Sequence, residues 1–218
     1  MAAPNEEHDE MLVIGAVQCP LRKDHQHPLD ACNQVIRLMK EQQQSRHRPR
    51  VHLFVLPELA PLGYSKHSFA NYLPNTQENL QIFHAIHQNM VQAAQELQAC
   101  ICFGTIGVLP DDTFTIRQVV VDTQGSTVAT YDKMLLCDYG DCAETRYFTA
   151  GTSLESFCVG NFTVGILICA DMRNPVCARR LVSTRHVQVV IQPAAFSRDF
   201  SFYTWKSFQT TRAVENSI

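Results

Sequence analysis

The sequence has 218 residues, of which 45% are hydrophobic and 18% charged, and its formal net charge is −3. These values are typical of one globular soluble domain. Proteins that bind nucleic acid or an acidic membrane surface are usually strongly basic, and the net charge of this chain gives no reason to expect such a partner. The N-terminus lacks the cationic and apolar regions of a signal peptide, so we expect the nine cysteines to be reduced thiols in a cytoplasmic protein. No apolar run approaches the roughly 20 residues that span a bilayer, and no membrane partner is expected.

Predicted strands alternate with amphipathic helices in the first half of the chain. Apolar runs of strand length and apolar stripes with helical spacing follow one another along the sequence. In chain order they predict a strand at 11–18, a helix at 28–45, a strand at 51–56, a helix at 76–99 and a strand at 99–109. The run VHLFVL at 51–56 is almost wholly apolar, which suits a strand covered on both faces. The acidic, polar residues 1–10 are predicted to be disordered.

Hairpins appear in the second half of the chain. Turn residues separate paired strands at two places, at Thr123–Ser126 and at Gly160–Asn161. The predicted elements are strands at 118–122, 127–131, 156–159 and 162–168, a helix at 175–184, a strand at 187–191 and a helix at 202–215. A chain that mixes βαβ units with hairpins predicts an α/β domain with mixed sheets and helices on the outside. No internal repeat or domain linker interrupts it.

Three polar side chains follow directly on apolar strands. Glu58 comes after the strand at 51–56, and Lys133 comes after the second hairpin strand. A carboxylate so close to apolar residues is costly to bury, and such a group suits a general base. Taken alone, Glu58 could equally begin a loop or cap a helix, and a lysine beyond a strand is usually a solvated charge.

The third side chain is the thiol of Cys169. A wholly apolar strand delivers it to a turn through Ala170 and Asp171, which leads into a helix near Pro175. Backbone N–H groups at such a turn can hold an oxyanion, and a nearby helix N-terminus would favour the thiolate. The other eight cysteines lack this setting, and we interpret them as small, inert hydrophobic residues.

The motifs in these segments resemble the nitrilase (carbon–nitrogen hydrolase) superfamily. VLPEL precedes GY, YDKM precedes E-x-x-Y-F-x-x-G, and G-x-x-I-C-A-D-x-R-x-P carries the cysteine. The later PAAF, Trp205 and TRAVEN segments are similar to those that follow the cysteine in that family. The resemblance covers nearly the whole chain after residue 10. It implies an α/β fold, namely an α-β-β-α sandwich of two mixed sheets flanked by helices.

The resemblance also implies catalytic roles. Glu58 would be the general base that takes the proton of Cys169, and Lys133 would stabilise the oxyanion together with the N–H of Ala170. Glu144 matches the family's second glutamate, which orients the substrate or the lysine. The reaction would pass through a thioester on the cysteine and release ammonia or an amine, and it would need no metal or organic cofactor.

The resemblance leaves the substrate open among small amide, N-carbamoyl and nitrile compounds, of which the first two are favoured. Tyr64, six residues after Glu58, is a candidate for lining the substrate pocket. Members of the family continue beyond the TRAVEN segment with further strands, which complete one sheet and help to bind a second subunit. The chain ends at Ile218, so we expect residues 11–218 to be a C-terminally incomplete hydrolase domain that lacks those strands, and we expect a homo-oligomer.

Two other functions remain open. The same residues could transfer the acyl group to an acceptor other than water, or the fold could persist as a non-catalytic scaffold. Nucleotide binding has no support, because no glycine-rich phosphate-binding motif is present. His84 and His87 share a helix face, but without further ligands this pair is a weak indication of a metal site, and none is expected.

Overall fold

The computed structural model describes residues 11–19, 26–73, 76–138, 142–196, 198 and 201–218. The predicted disorder of residues 1–10 therefore lies outside the described residues. Two sheets and five α-helices make up the described part. The predicted α/β class and the arrangement of two mixed sheets flanked by helices are confirmed.

The larger sheet has five strands in sequential order. The strands are β1 (Ile14–Ala16), β2 (Leu53–Val55), β3 (Cys100–Val108), β4 (Phe114–Val121) and β5 (Thr127–Asp132). The first three are parallel, and the last two add antiparallel pairs. Parallel pairing brings the carboxyl ends of β1, β2 and β3 to one edge, and β5 runs back along the outside of the sheet.

The smaller sheet has three strands and is also mixed. β6 (Ser156–Val159) and β7 (Phe162–Ile166) form an antiparallel hairpin, and β8 (Val189–Ile191) lies parallel to β7. The hairpin predicted around Gly160 is confirmed, and Gly160 has a φ of +56° at its turn. The strand predicted at 162–168 ends earlier because the chain turns to deliver Cys169.

Helices cover the sheets, and several of them begin at a proline or at a capping side chain. The helices are α1 (Pro28–Gln44), α2 (Lys66–Tyr72), α3 (Gln77–Leu97), α4 (Pro175–Arg185) and α5 (Thr204–Asn216). Prolines occupy the first turn of α1 and α4, and the hydroxyl of Thr76 accepts a hydrogen bond from the N–H of Asn79 at 3.2 Å to begin α3. α1 packs on α3, and α4 packs on α5.

One contiguous hydrophobic core joins the two sheets and their helices. Val35 and Met39 of α1 and Ile86 and Met90 of α3 are almost completely buried, as their helical spacing predicts. On the other side, a side chain at Gly165 of β7 would touch Leu181, so α4 lies directly on the smaller sheet. The short helix α2 was not predicted, and it falls in a segment that the sequence presents as loop.

Candidate active site

The three strand ends converge on a buried ion cluster. The ammonium Nζ of Lys133 donates hydrogen bonds to Oε1 of Glu58 at 2.7 Å and to Oε1 of Glu144 at 2.7 Å. All three side chains are fully buried. One positive charge therefore lies between two negative charges in a region that excludes water, and each ion is stabilised by hydrogen bonds as well as by charge.

The carboxylate of Glu58 is held at both oxygens. Besides its bond from Lys133, its Oε2 accepts a hydrogen bond from the backbone N–H of Ala195 at 3.0 Å. The backbone immediately after it is strained, because Leu59 has a φ of +53°. Gly104 of β3 allows this segment to approach, since a Cβ there would lie 2.8 Å from the Cα of Leu59. The packing thus fixes where Glu58 points.

Glu144 lies on a short 3-10 turn, Glu144–Arg146, and is held by three donors. Its Oε1 accepts the bond from Lys133 and a short bond from the hydroxyl of Tyr64, and its Oε2 accepts from the N–H of Cys137 at 2.7 Å. Burial raises the pKa of Glu144, and the Lys133 ammonium opposes this rise. The structure therefore places Tyr64, a candidate pocket residue, in direct contact with the second glutamate.

Cys169 lies on a sharp turn that follows β7. Its φ is +43°, a left-handed backbone conformation that residues other than glycine rarely adopt and that often occurs at functional sites. The turn is held because its N–H donates to the carbonyl of Pro193 at 2.9 Å and its carbonyl accepts from Nε2 of Gln192 at 2.9 Å. Ala170, whose N–H is the predicted oxyanion donor, follows directly in the chain and is buried.

The charges around the thiol favour its protonated form. Burial raises the pKa of Cys169 well above its ordinary value, and the negative charge of the nearby Glu58 carboxylate raises it further. The Lys133 ammonium opposes this rise but does not outweigh it. The shift is opposite to the one expected from a nearby helix N-terminus, because burial and the Glu58 carboxylate set its direction. A protonated thiol needs a base before it can attack, and the nearby Glu58 carboxylate is the candidate.

Lys133 keeps its charge in this environment. Burial alone lowers the pKa of its ammonium, but the nearby negative charges, chiefly that of Glu58 and also that of Glu144, raise it more, so the pKa lies above its ordinary value. The ammonium is therefore a permanent cation at neutral pH. A fixed cation beside a nucleophile can stabilise an oxyanion without rearranging when charge develops.

Sequence reasoning missed three groups that hold this site. They are the Asp171 carboxylate, the Gln192 amide and the Ala195 N–H, each of which bonds a segment that carries a predicted site residue. Asp171 offered a signal, because it is a charge at the end of a wholly apolar strand. For Gln192 and Ala195 the sequence carries no signal, since only the tertiary fold brings them to Cys169 and Glu58.

The described residues contain neither a group of metal ligands nor a membrane-spanning helix. Within the described ranges, no three His, Cys, Asp or Glu side chains are grouped so that they could hold a metal ion. His87 instead lies with its Nε2 at 3.1 Å from the hydroxyl of Thr127. In the same part of the chain, no helix is both long and apolar enough to cross a membrane.

A family model described as carbon-nitrogen hydrolase matches residues 13–218. The chain therefore belongs to the carbon–nitrogen hydrolase family. The candidate site combines a buried glutamate–lysine–glutamate cluster with the nearby thiol of Cys169.

Curated relatives match parts of the chain. It is 33% identical over 124 residues to a glutamine-dependent NAD(+) synthetase of Thermotoga maritima, covering 57% of the chain and 20% of that protein. It is 33% identical over 103 residues to deaminated glutathione amidase of Bos taurus, covering 44% and 31%. It is 26% identical over 173 residues to nitrilase homolog 2 of Dictyostelium discoideum, covering 76% and 51%. The chain thus spans between a fifth and about half of these relatives.

Solved structures share the fold over most of the chain. A mutant of the amidase from Nesterenkonia sp. AN1, with acrylamide joined by Michael addition at its active-site cysteine, has a TM-score of 0.80 and 20% identity, covering 95% of this chain and 76% of that one. The carbon-nitrogen hydrolase from Helicobacter pylori G27 has a TM-score of 0.79 and 20% identity, covering 97% and 72%. At this identity the likeness establishes the fold.

Proposed function

We propose that this chain hydrolyses a non-peptide C–N bond of a small amide or N-carbamoyl compound, with Cys169 as the nucleophile. The observation that carries the proposal is the buried Lys133 ammonium held between Glu58 and Glu144, close enough to Cys169 for the charges of Glu58 and Lys133 to act on its thiol. A nucleophile near a base and beside a fixed cation is the arrangement that acyl transfer requires.

Acylation begins with proton transfer from the thiol to Glu58. The Cys169 sulfur attacks the carbonyl carbon as its proton passes to the Glu58 carboxylate, and the carbonyl π electrons move to oxygen. The Lys133 ammonium and the N–H of Ala170 stabilise this oxyanion. The C–N bond then breaks, the carbonyl re-forms as a thioester, and the leaving nitrogen takes the proton from Glu58 and departs as ammonia or an amine.

Deacylation uses the same groups with water as the nucleophile. Glu58 removes a proton from water as the oxygen attacks the thioester carbon, and Lys133 and Ala170 again stabilise the oxyanion. The C–S bond breaks, and the proton returns from Glu58 to the Cys169 sulfur as the carboxylic acid leaves. One base thus serves both half-reactions and ends each cycle as a carboxylate, while the thiol ends it protonated.

Glu144 has a supporting role in this scheme. Its carboxylate accepts hydrogen bonds from Lys133, Tyr64 and the N–H of Cys137, so it holds the ammonium rather than the substrate's reacting atoms. Two carboxylates around one ammonium give the cluster one net negative charge before the thiol reacts. That charge makes a permanent thiolate unfavourable, and it agrees with proton transfer to Glu58 during attack rather than before it.

The relatives support the amide class. Deaminated glutathione amidase and the Nesterenkonia amidase are amidases by name, and the latter's active-site cysteine forms a covalent bond with acrylamide. The synthetase relative is described as glutamine-dependent, and glutamine carries a primary amide. A primary amide or an N-carbamoyl group, each with an NH₂ leaving as ammonia, is therefore the substrate that we propose over a nitrile.

The test is ammonia release from a panel of small primary amides, N-carbamoyl compounds and nitriles. Wild type and Cys169→Ala are measured side by side, with Cys177→Ala as a matched control, because Cys177 is a buried thiol on α4 that has no part in the proposed chemistry. We expect release by wild type and by the control, and none by Cys169→Ala. Release that persists in Cys169→Ala would contradict the proposal.

A further inference from the structure

A third carboxylate lies in the same turn as the nucleophile but takes no part in the scheme above. Asp171 is fully buried, two residues after Cys169 in the same turn. Its Oδ2 accepts hydrogen bonds from the Tyr131 hydroxyl at 2.7 Å and from the N–H of Ile168 at 2.8 Å. Its Oδ1 accepts from the N–H of Leu135 at 2.7 Å. Three donors therefore converge on one carboxylate.

These donors belong to two separate parts of the fold. Tyr131 and Leu135 lie two residues before and two residues after Lys133, at the end of β5 in the larger sheet. Ile168 directly precedes Cys169, after β7 of the smaller sheet. The carboxylate of Asp171 thus ties both flanks of the lysine to the residue before the nucleophile. Few other positions could fix the two reactive groups relative to each other so directly.

The contacts also explain how a carboxylate is tolerated here. All three described hydrogen-bond partners are neutral donors, and the Lys133 ammonium acts on the carboxylate only through its charge, so the neutral donors are the main offset to the cost of removing this charge from water. Burial raises the pKa of Asp171, and the hydroxyl and the two N–H groups oppose that rise. An apolar side chain of similar size would fill this space without that cost, but it could not bond the two segments. The charge therefore favours a geometric role over simple packing.

We propose that Asp171 is a positioning residue that sets the placement of the Cys169 thiol relative to the Lys133 ammonium. This inference rests on the proposed function, because the distance matters to a reaction only if these two groups act together. Asp171 contacts neither group directly and acts through Tyr131, Leu135 and Ile168. A displacement of about 1 Å between reacting groups lowers rates by about 100-fold, so these bonds have a large effect on turnover.

The test compares Asp171→Asn with Tyr131→Phe and with a matched destabilised control. Asparagine keeps the volume of aspartate, but its NH₂ group replaces one acceptor oxygen and faces the donors that this oxygen had bound. Tyr131→Phe removes only the hydroxyl donor and leaves the carboxylate in place. We expect kcat to fall about 100-fold in Asp171→Asn and about tenfold in Tyr131→Phe, with KM within about threefold of wild type. Met39→Ala, in the core of α1, is the control, since it should lower Tm without changing kcat.

A crystal structure of each variant separates this inference from the proposed function. We expect the Cys169 turn in Asp171→Asn to shift away from Lys133 while the rest of the fold superposes on wild type. An unshifted turn would overturn the inference, whether or not the chain hydrolyses amides. If Asp171→Asn does not fold, Tyr131→Phe decides the question. The inference would be overturned if the kcat of Tyr131→Phe equalled that of wild type. It would also be overturned if that kcat fell no further than the kcat of Met39→Ala, provided that the two variants have the same Tm.

Discussion

Replacing Lys133 with Met tests how the ion cluster contributes to stability. Methionine keeps an unbranched side chain of similar length, so the volume of the site is largely preserved. What it removes is the only cation bonded to both Glu58 and Glu144 within the described cluster. Two buried carboxylates then remain close together, each with backbone or hydroxyl donors but without their shared positive charge.

The expected loss is large and depends on pH. Removing one partner of a buried ion pair costs about 3–5 kcal/mol, because the remaining charge is left in a region that excludes water. In the variant, the pKa of the two carboxylates is higher in the folded state than in the unfolded state. At low pH the carboxylates are protonated and the variant regains stability. The free energy of unfolding then falls as pH rises through the folded-state pKa. The limiting slope for one proton is about 1.4 kcal/mol per pH unit.

The assay is urea unfolding at pH 5.5, 7 and 8, with Lys40→Met as the matched control. Lys40 pairs with Glu96 at 2.5 Å on the surface, where both side chains are about 40% exposed. The same substitution there should change the free energy of unfolding by less than about 1 kcal/mol at every pH. A Lys133→Met variant that matches this control, or whose loss does not grow with pH, would refute the electrostatic reasoning.

Two further substitutions test the base and the backbone that carries it. In Glu58→Gln the amide cannot take the thiol proton, so we expect kcat at pH 7 to fall about 10²–10⁴-fold. The residual rate should rise with pH, because more of the Cys169 thiol, whose pKa is raised, ionises as pH increases. A residual rate that does not depend on pH would contradict this. Gly104→Ala should lose about 1–3 kcal/mol and much of its activity, because its Cβ overlaps the Leu59 backbone. Gly160→Ala has open space around its Cβ but a positive φ, so it should lose some stability and keep its activity. Urea unfolding and ammonia release measure both variants.

Local patterns predicted most of the secondary structure because they coincide with tertiary packing. The stripe that includes Ile86 and Met90 is the buried face of α3, and Thr76 caps it as its hydroxyl suggests. α2 was missed because its seven residues bury Phe69 and Ser68 but show no repeated apolar spacing. A short helix of this kind is fixed by tertiary contacts, which a local pattern does not contain.

The candidate site divides in the same way. Glu58, Lys133 and Cys169 could each be singled out from the sequence because each follows an apolar strand, but only the family resemblance implied that the three act together. Glu144 lies in a loop, and only the family resemblance singled it out. The contact between Tyr64 and Glu144 joins residues 80 positions apart, and no local pattern encodes such a pairing.

The central claim is that one thiol carries the reaction, and labelling tests it most directly. Wild type is treated with iodoacetamide at neutral pH for increasing times, and each sample is divided between peptide mass spectrometry and ammonia release from an active substrate. The account predicts that activity falls in proportion to the alkylated fraction of Cys169 and shows no such relation to the other eight cysteines. Activity that survives complete alkylation of Cys169 would contradict it.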